Sequence, residues 1–341
     1  MSHHSEDIQY PLLQRLTQQF GPSGSENSVI QAILPEIQAF SDETKIDALG
    51  NLIAIKQGTS GKQIMISSHV DEIGIIVTYM DKNGFLRFTA IGGVHVSSMP
   101  YRRVRFQNGT VGTIGVEKLD KLSDLKLEKL YIDIGAASEE EAAVKVGIGD
   151  SAVFVGEYAE MGSRIMAKAL DNRAGCFVLI EAMKRVRSPH TLAFAFTTQE
   201  EVGLRGARPA AYALEPDAAI TVDVTRTGDT PKAQLMSVKL GDGVAIKVMD
   251  RSIVVSPAVK EWMIQTAKKR NIPYQYEVLE SGGTESGMIQ LTKTGVLTGV
   301  LSIPARYIHS PGEMIDQRDL ETTIALLVAL LQDSLEENPL F

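Results

Sequence analysis

From about Glu72 to Gly162 the helical period of apolar residues nearly vanishes, while the chain on either side keeps it. A segment patterned with period two cannot continue a helical layer patterned with period 3.6, so the interruption predicts two nested units. Six strand-prone runs fill it, IGIIVTYM, FLRFTAIG, RRVRFQ, TVGTIGV, KLYIDIG and AVFVGEY, separated by Gly, Asn and Asp turns. One short helix is expected at Ser138 to Val144, and the whole stretch reads as a small all-β domain.

The flanks read as α/β. Two helices, about Glu6 to Phe20 and Glu26 to Phe40, are split by the turn GPSGS, and strands follow at Asn51 to Lys56 and Gln63 to Ser68. Beyond Gly162, helices at Asn172 to Arg187, Pro257 to Arg270 and Arg318 to Glu336 alternate with apolar strands at Thr191 to Thr198, Ala218 to Asp223, Val244 to Met249 and Gly299 to Ile303. Such alternation predicts a sheet covered by helices on both faces, a three-layer α/β/α domain. Leu320, Ile324, Leu327, Leu331 and Leu335 share one face of the last helix, which is a core face. The expected division is residues 1–71 and 163–341 as one discontinuous α/β/α domain, with residues 72–162 inserted into it.

Charge and cysteine usage narrow the function classes. An excess of 42 Asp plus Glu over 34 Lys plus Arg leaves no basic footprint for nucleic acid or anionic lipid. The longest apolar run, Ile324 to Leu331, is far short of the ~20 residues that span a bilayer, and MSHHSEDIQY lacks a signal-type apolar core. A single cysteine, Cys176, rules out a disulfide framework and points to a reducing compartment, the cytoplasm. The absence of HExxH, GxSxG, a Cys pair and GxxxxGK[ST] removes the main support for thermolysin-like, serine-hydrolase, dithiol and P-loop chemistry.

Of six histidines, His3 and His4 lie at the terminus, and His95 and His190 sit in turn-like or strand-edge settings without ligand-type carboxylates nearby. His69 and His309 differ. His69 ends an apolar strand, with Asp71 two residues on, where an extended chain puts both side chains on one side and lets a carboxylate orient an imidazole. Asp171, in KALDNR, precedes a helix and reads either as its N-cap or as a ligand. Glu200 and Glu201 follow another buried-type strand. Neighbouring side chains on an extended chain point opposite ways, so one glutamate could bind a metal while the other faces substrate as a base. Asp223 closes the strand AAITVD, and His309, in RYIHSP, follows the strand Gly299 to Ile303. Strand carboxyl ends are where ligands bind in open α/β sheets. A mixed nitrogen and oxygen set of this kind suits zinc, cobalt or manganese, and is too nitrogen-rich for calcium.

Together, SSHVDEIG, KALDNR, TTQEEVGLRGA, DVT followed by GDTP, GGTE and RYIHSP resemble the cytosolic di-metal aminopeptidases that assemble as tetrahedral dodecamers. These are the glutamyl, leucyl and deblocking aminopeptidases, some of whose members carry the label endoglucanase. The likeness covers nearly the whole chain, since DKNGFLRFTAIGG and LYIDIGA resemble that family's β-rich dimerisation domain. The resemblance implies a metallopeptidase fold with a barrel-like insert. It also implies two divalent cations per subunit, zinc or cobalt first and manganese as an option. Asp171 would bridge them, with His69 and Asp223 completing one site and Glu201 and His309 the other. Glu200 would be the general base and Asp71 the carboxylate behind His69. Short peptides would be the substrates, losing their N-terminal residues, and dimers would build a dodecamer. One departure is Glu285 in GGTE, where relatives usually have aspartate, so no role follows for it. Competing readings are an amidase or deacylase acting on a non-peptide amide, a metal-free endoglucanase built on two carboxylates, and a non-catalytic scaffold.

Overall fold

A computed structural model of the chain describes residues 9–333. His3, His4 and Leu335 lie outside the described residues. The chain forms a mixed α/β structure with one 11-stranded sheet and a closed six-stranded barrel.

At the centre of the sheet four strands lie side by side and parallel: Thr191–Thr197, Gln63–His69, Ala218–Thr225 and Leu297–Arg306. Their side chains alternate between two cores, as period-two geometry requires. Ile64, Ile66, Phe194, Phe196, Ile220 and Val222 face a large core shared with the helices Pro11–Gln18, Asn27–Ile37, Leu170–Arg185, Pro257–Lys269 and Gln317–Gln332. Met65, Ala193, Ala195 and Ala219 face a smaller one with Ala207, Ala210, Ala211 and Ile289. Alanines meet alanines there, so the helix Ala207–Leu214 packs close to the sheet. The sequence expectation of helices on both faces is thus met, including one face whose helices, Ala207–Leu214 and Ser286–Gln290, the periodicity did not announce.

The barrel strands are Gly74–Met80, Leu86–Ile91, Arg103–Phe106, Val111–Val116, Leu130–Asp133 and Ser151–Phe154. They enclose their own core around Ile75, Val77, Phe88, Val104, Ile114 and Ile132. Each of the six strand-prone runs overlaps one of them. The short helix is Glu139–Lys145, and the Ser138 hydroxyl accepts the Glu141 N–H at its start. Ser256 caps Pro257–Lys269 in the same way, through the Val259 N–H.

Where the chain crosses between sheet and barrel, buried Glu72 meets buried Lys168 and Arg173. Lys168 Nζ donates to both Glu72 oxygens at 2.8 and 2.7 Å, and Arg173 donates to one of them at 3.3 Å. Arg173 also donates to the carbonyls of Val70 and Leu16, so one buried guanidinium ties the end of the His69 strand to the first helix. Among the described residues no helix is long and apolar enough to cross a membrane.

Candidate metal centre

The parallel ladder decides which side chains meet. Thr197 lies opposite His69, so the turn after Thr197 brings Glu200 and Glu201 beside that histidine. On the other side Thr221 lies opposite Ser67, which sets Asp223 at the same edge. The next strand pairs Ser302 with Asp223 and runs on through Arg306 into the turn holding His309. Because all four strands are parallel, their carboxyl ends share one edge.

Asp171 reaches this edge from the start of the helix Leu170–Arg185, where its own backbone is not helical (φ −80°, ψ 103°) and its peptide bond to Asn172 is cis. The capping role belongs to Asn172, whose Oδ1 accepts the Gly175 N–H at 3.1 Å. The Asp171 carboxylate faces two imidazoles instead: Oδ1 is 3.2 Å from His69 Nε2, and Oδ2 is 3.3 Å from His309 Nε2. Asp223 Oδ1 lies 3.7 Å from His69 Nε2, and Glu201 Oε1 lies 3.1 Å from His309 Nε2. Two trios result, His69 with Asp171 and Asp223, and Asp171 with Glu201 and His309, each with ligand-type atoms within 4.8 Å of one another. Glu200 belongs to neither, although its Oε2 comes to 4.0 Å from His69 Nε2.

Both imidazoles are held from behind. His69 Nδ1 is 3.2 Å from the Asp71 carbonyl oxygen and 3.3 Å from Asp71 Oδ1. The same carboxylate accepts the N–H groups of Glu200 and Glu201, at 3.0 and 3.1 Å, and the Ser23 hydroxyl at 2.6 Å. Asp71 therefore pins the two-glutamate turn as well as the ring. His309 Nδ1 donates to the Gly93 carbonyl at 2.9 Å, so the barrel fixes the second ring and leaves its Nε2 toward the centre. A Cβ on Gly93 would stand 2.9 Å from His309 Nδ1, which is why this approach needs glycine.

Sequence reasoning missed Glu313. It is buried, and its two oxygens accept the backbone N–H groups of Asp171 at 2.9 Å and His309 at 2.8 Å. No motif signals this, since Glu313 is simply the residue after the Pro-Gly of the His309 turn. Glu285, which had no assigned role, is buried beside the site, where Thr197 donates to its carboxylate; burial pushes its carboxyl up to about 7. His95 stands with its ring 6.4 Å from that of His309, while His190 is buried elsewhere, 2.8 Å from the Ser60 hydroxyl.

The electrostatics require a counter-charge. Burial raises the pKa of Glu200, and Asp223 and Glu201 raise it further against the opposing His69. Burial likewise raises Glu201 and Asp223, whereas on Asp171 the effect of burial is outweighed by His309 and His69, which hold it low. Four carboxylates crowded round two imidazoles cannot all ionise without added positive charge. Buried Glu201 Oε1 accepts no hydrogen bond of good geometry and has His309 Nε2 beside it at 3.1 Å, the spacing of two atoms that could share one ion. The donor set thus fits divalent metal. The two histidines and Asp171, Glu200, Glu201 and Asp223 line one cavity of about 340 Å³, closed on another side by Ser281, Gly282, Gly283 and Thr284.

Residues 50–326 match the family described as M42 glutamyl aminopeptidase. The chain belongs to the M42 family. It is an enzyme, a hydrolase of the aminopeptidase class, and M42 peptidases are metal-dependent. A putative aminopeptidase of Acetivibrio thermocellus is 50% identical over 325 residues, covering 95% of this chain and 98% of the relative. An aminopeptidase structure from Desulfurococcus kamchatkensis superposes with a TM-score of 0.91 at 37% identity, over 95% of this chain and 94% of that one. The TET1 peptidase of Pyrococcus horikoshii, described as assembling into a tetrahedron or a large octahedral shell, gives a TM-score of 0.85 at 34% identity, over 95% and 99% of the two chains. The M42 fold therefore extends across both the sheet and the barrel.

Proposed function

We propose that this M42 enzyme removes N-terminal residues from short peptides at a two-cation centre, with His69, Asp171 and Asp223 holding one ion and Asp171, Glu201 and His309 the other. The observation that carries this is Asp171, whose two oxygens face different imidazoles at 3.2 and 3.3 Å. When bound, the cations would lower the pKa of a water and polarise the scissile carbonyl. Glu200, outside both trios and with its carboxyl raised by burial, takes the proton of the attacking water and hands it to the departing amine. Asp71 keeps the His69 ring and the Glu200 turn in register. The donor set suits zinc or cobalt, with manganese as an alternative.

Residues 72–162 are proposed as an inserted dimerisation domain between the catalytic segments 1–71 and 163–341. The likeness to structures described as a dodecamer and as a tetrahedral or octahedral assembly supports a homo-oligomer, with dimers building a dodecamer. The free, buried Cys176 fits a reducing cytoplasm.

The test is Glu200→Gln. The variant should keep two metals per chain by elemental analysis and lose turnover of aminoacyl anilides; substantial residual turnover removes Glu200 from the base role. Activity of the native enzyme that survives complete chelation would contradict the metal-dependent reading. A panel of non-peptide amides run alongside separates a peptidase from an amidase or deacylase.

A further inference from the structure

Across Arg226, Ile308 and His309 the carboxylate-lined cavity adjoins a second, larger depression of about 810 Å³. Both volumes fall within the ~300–1,000 Å³ that holds small organic ligands. Their linings are opposite in charge. Asp171, Glu200, Glu201 and Asp223 line the inner cavity, whereas among the described residues no aspartate or glutamate lines the outer one. Arg102, Arg226, Arg306 and His95 line it instead. Arg306 is committed, since its guanidinium donates to Asp229 at 3.0 and 2.7 Å. Arg102 donates to the Ser98 carbonyl at 3.3 Å, and neither it nor Arg226 has a carboxylate partner among the described residues. Both side chains are exposed at the rim, and Arg226 stands where the two spaces meet.

We propose that the outer groove binds the leaving side of the peptide through a carboxylate, received by Arg226 and Arg102. This rests on the aminopeptidase reading, which puts the substrate's N-terminus in the inner cavity and sends the rest of the chain through the adjoining space. The charge arrangement then matches a short peptide end for end. The inner cavity takes the N-terminal end at the reacting centre, and guanidinium groups one cavity away attract a carboxylate. A C-terminal carboxylate lies that close to the scissile bond only in a short peptide, so the groove selects for length; an acidic side chain just after the bond offers the same chemistry.

The experiment uses full-length metal-loaded enzyme and tripeptides whose first residue is the one whose aminoacyl anilide is hydrolysed fastest. One pair compares X-Ala-Ala as free acid and as C-terminal amide. A second compares X-Glu-Ala amide with X-Gln-Ala amide. Native enzyme should prefer the carboxylate-bearing member of at least one pair by about tenfold in kcat/KM, the value of a charge-assisted contact. The pair showing it identifies which carboxylate is read. In the double variant R102Q/R226Q the ratio should fall close to one, and in R226K it should be largely retained. Equal hydrolysis of both members of both pairs by native enzyme, or a preference that survives R102Q/R226Q, overturns the proposal. Failure to hydrolyse any of the four peptides overturns the aminopeptidase reading instead.

Discussion

His69 and Asp223 are carried on hydrogen-bonded strands inside a parallel sheet, whereas Glu201 and His309 stand on turns beyond the strand ends. The strand-borne pair is nearly inaccessible, at 1% and 4% exposure, and needs no special backbone. On the turns, Gln199 and His309 sit at φ 56° and 64°, in the left-handed region that costs a non-glycine residue roughly 1–3 kcal/mol. Extra fastenings accompany that cost. Asp71 grips the Glu200–Glu201 turn, Glu313 holds the His309 backbone, and Gly93 of the barrel holds the His309 ring. A sheet positions ligands through its own ladder; a turn needs separately buried carboxylates to do the same.

The comparison can be broken first at the residue common to both sides. Asp171→Asn should remove both ions and lower kcat/KM by more than about 10³-fold, since polarisation of this kind is worth several kcal/mol. Two ions per chain in that variant would show that the halves do not share it. Next, His69→Ala should lower stability by about 3–5 kcal/mol, because it strips a buried cluster of carboxylates of its partner. His309→Ala, on the half-buried turn, should change the unfolding midpoint far less while still lowering metal content to one ion. Equal losses in a denaturant titration would erase the distinction between strand and turn.

Smaller effects sharpen it. Glu313→Gln keeps the shape but replaces one of two acceptor oxygens, and metal affinity should weaken by about 10–100-fold, the usual cost of disturbing a group behind a ligand. Competition with a fluorescent chelator measures this, and the ion on the His309 side should leave first. Last, Ser23→Ala removes one of the bonds that Asp71 accepts and should cost about 1 kcal/mol, seen as a modest fall in kcat at unchanged metal content.

How much of this was legible in the sequence follows the same division. Apolar strands that stop at a ligand-type residue are local signals, and His69, Glu200, Glu201 and Asp223 all stand where such a run ends, around one cavity. The barrel was legible as six alternating runs because turn residues punctuate it. The helix Ala207–Leu214 was not, since its core face is mostly alanine, its first turn carries Pro209, and no side chain caps its start. Asp171 left two readings open in sequence, and the geometry passes the capping role to its neighbour Asn172. Glu313, Ser23 and Gly93 were invisible for a common reason. Each meets the site through at least one contact far apart in the chain, and nothing local to them advertises that partner.

The helix Gln317–Gln332 follows at once on the strand Glu313–Asp316, which begins with the carboxylate that holds Asp171 and His309. Ligand-type residues come from positions 69 to 309, and their outermost brace comes later still. A chain emerging from the ribosome therefore lacks part of its centre until Glu313 has been made, whatever has folded before it. A centre threaded in this order cannot form on any early segment alone, so it is assembled only when distant parts of the chain meet.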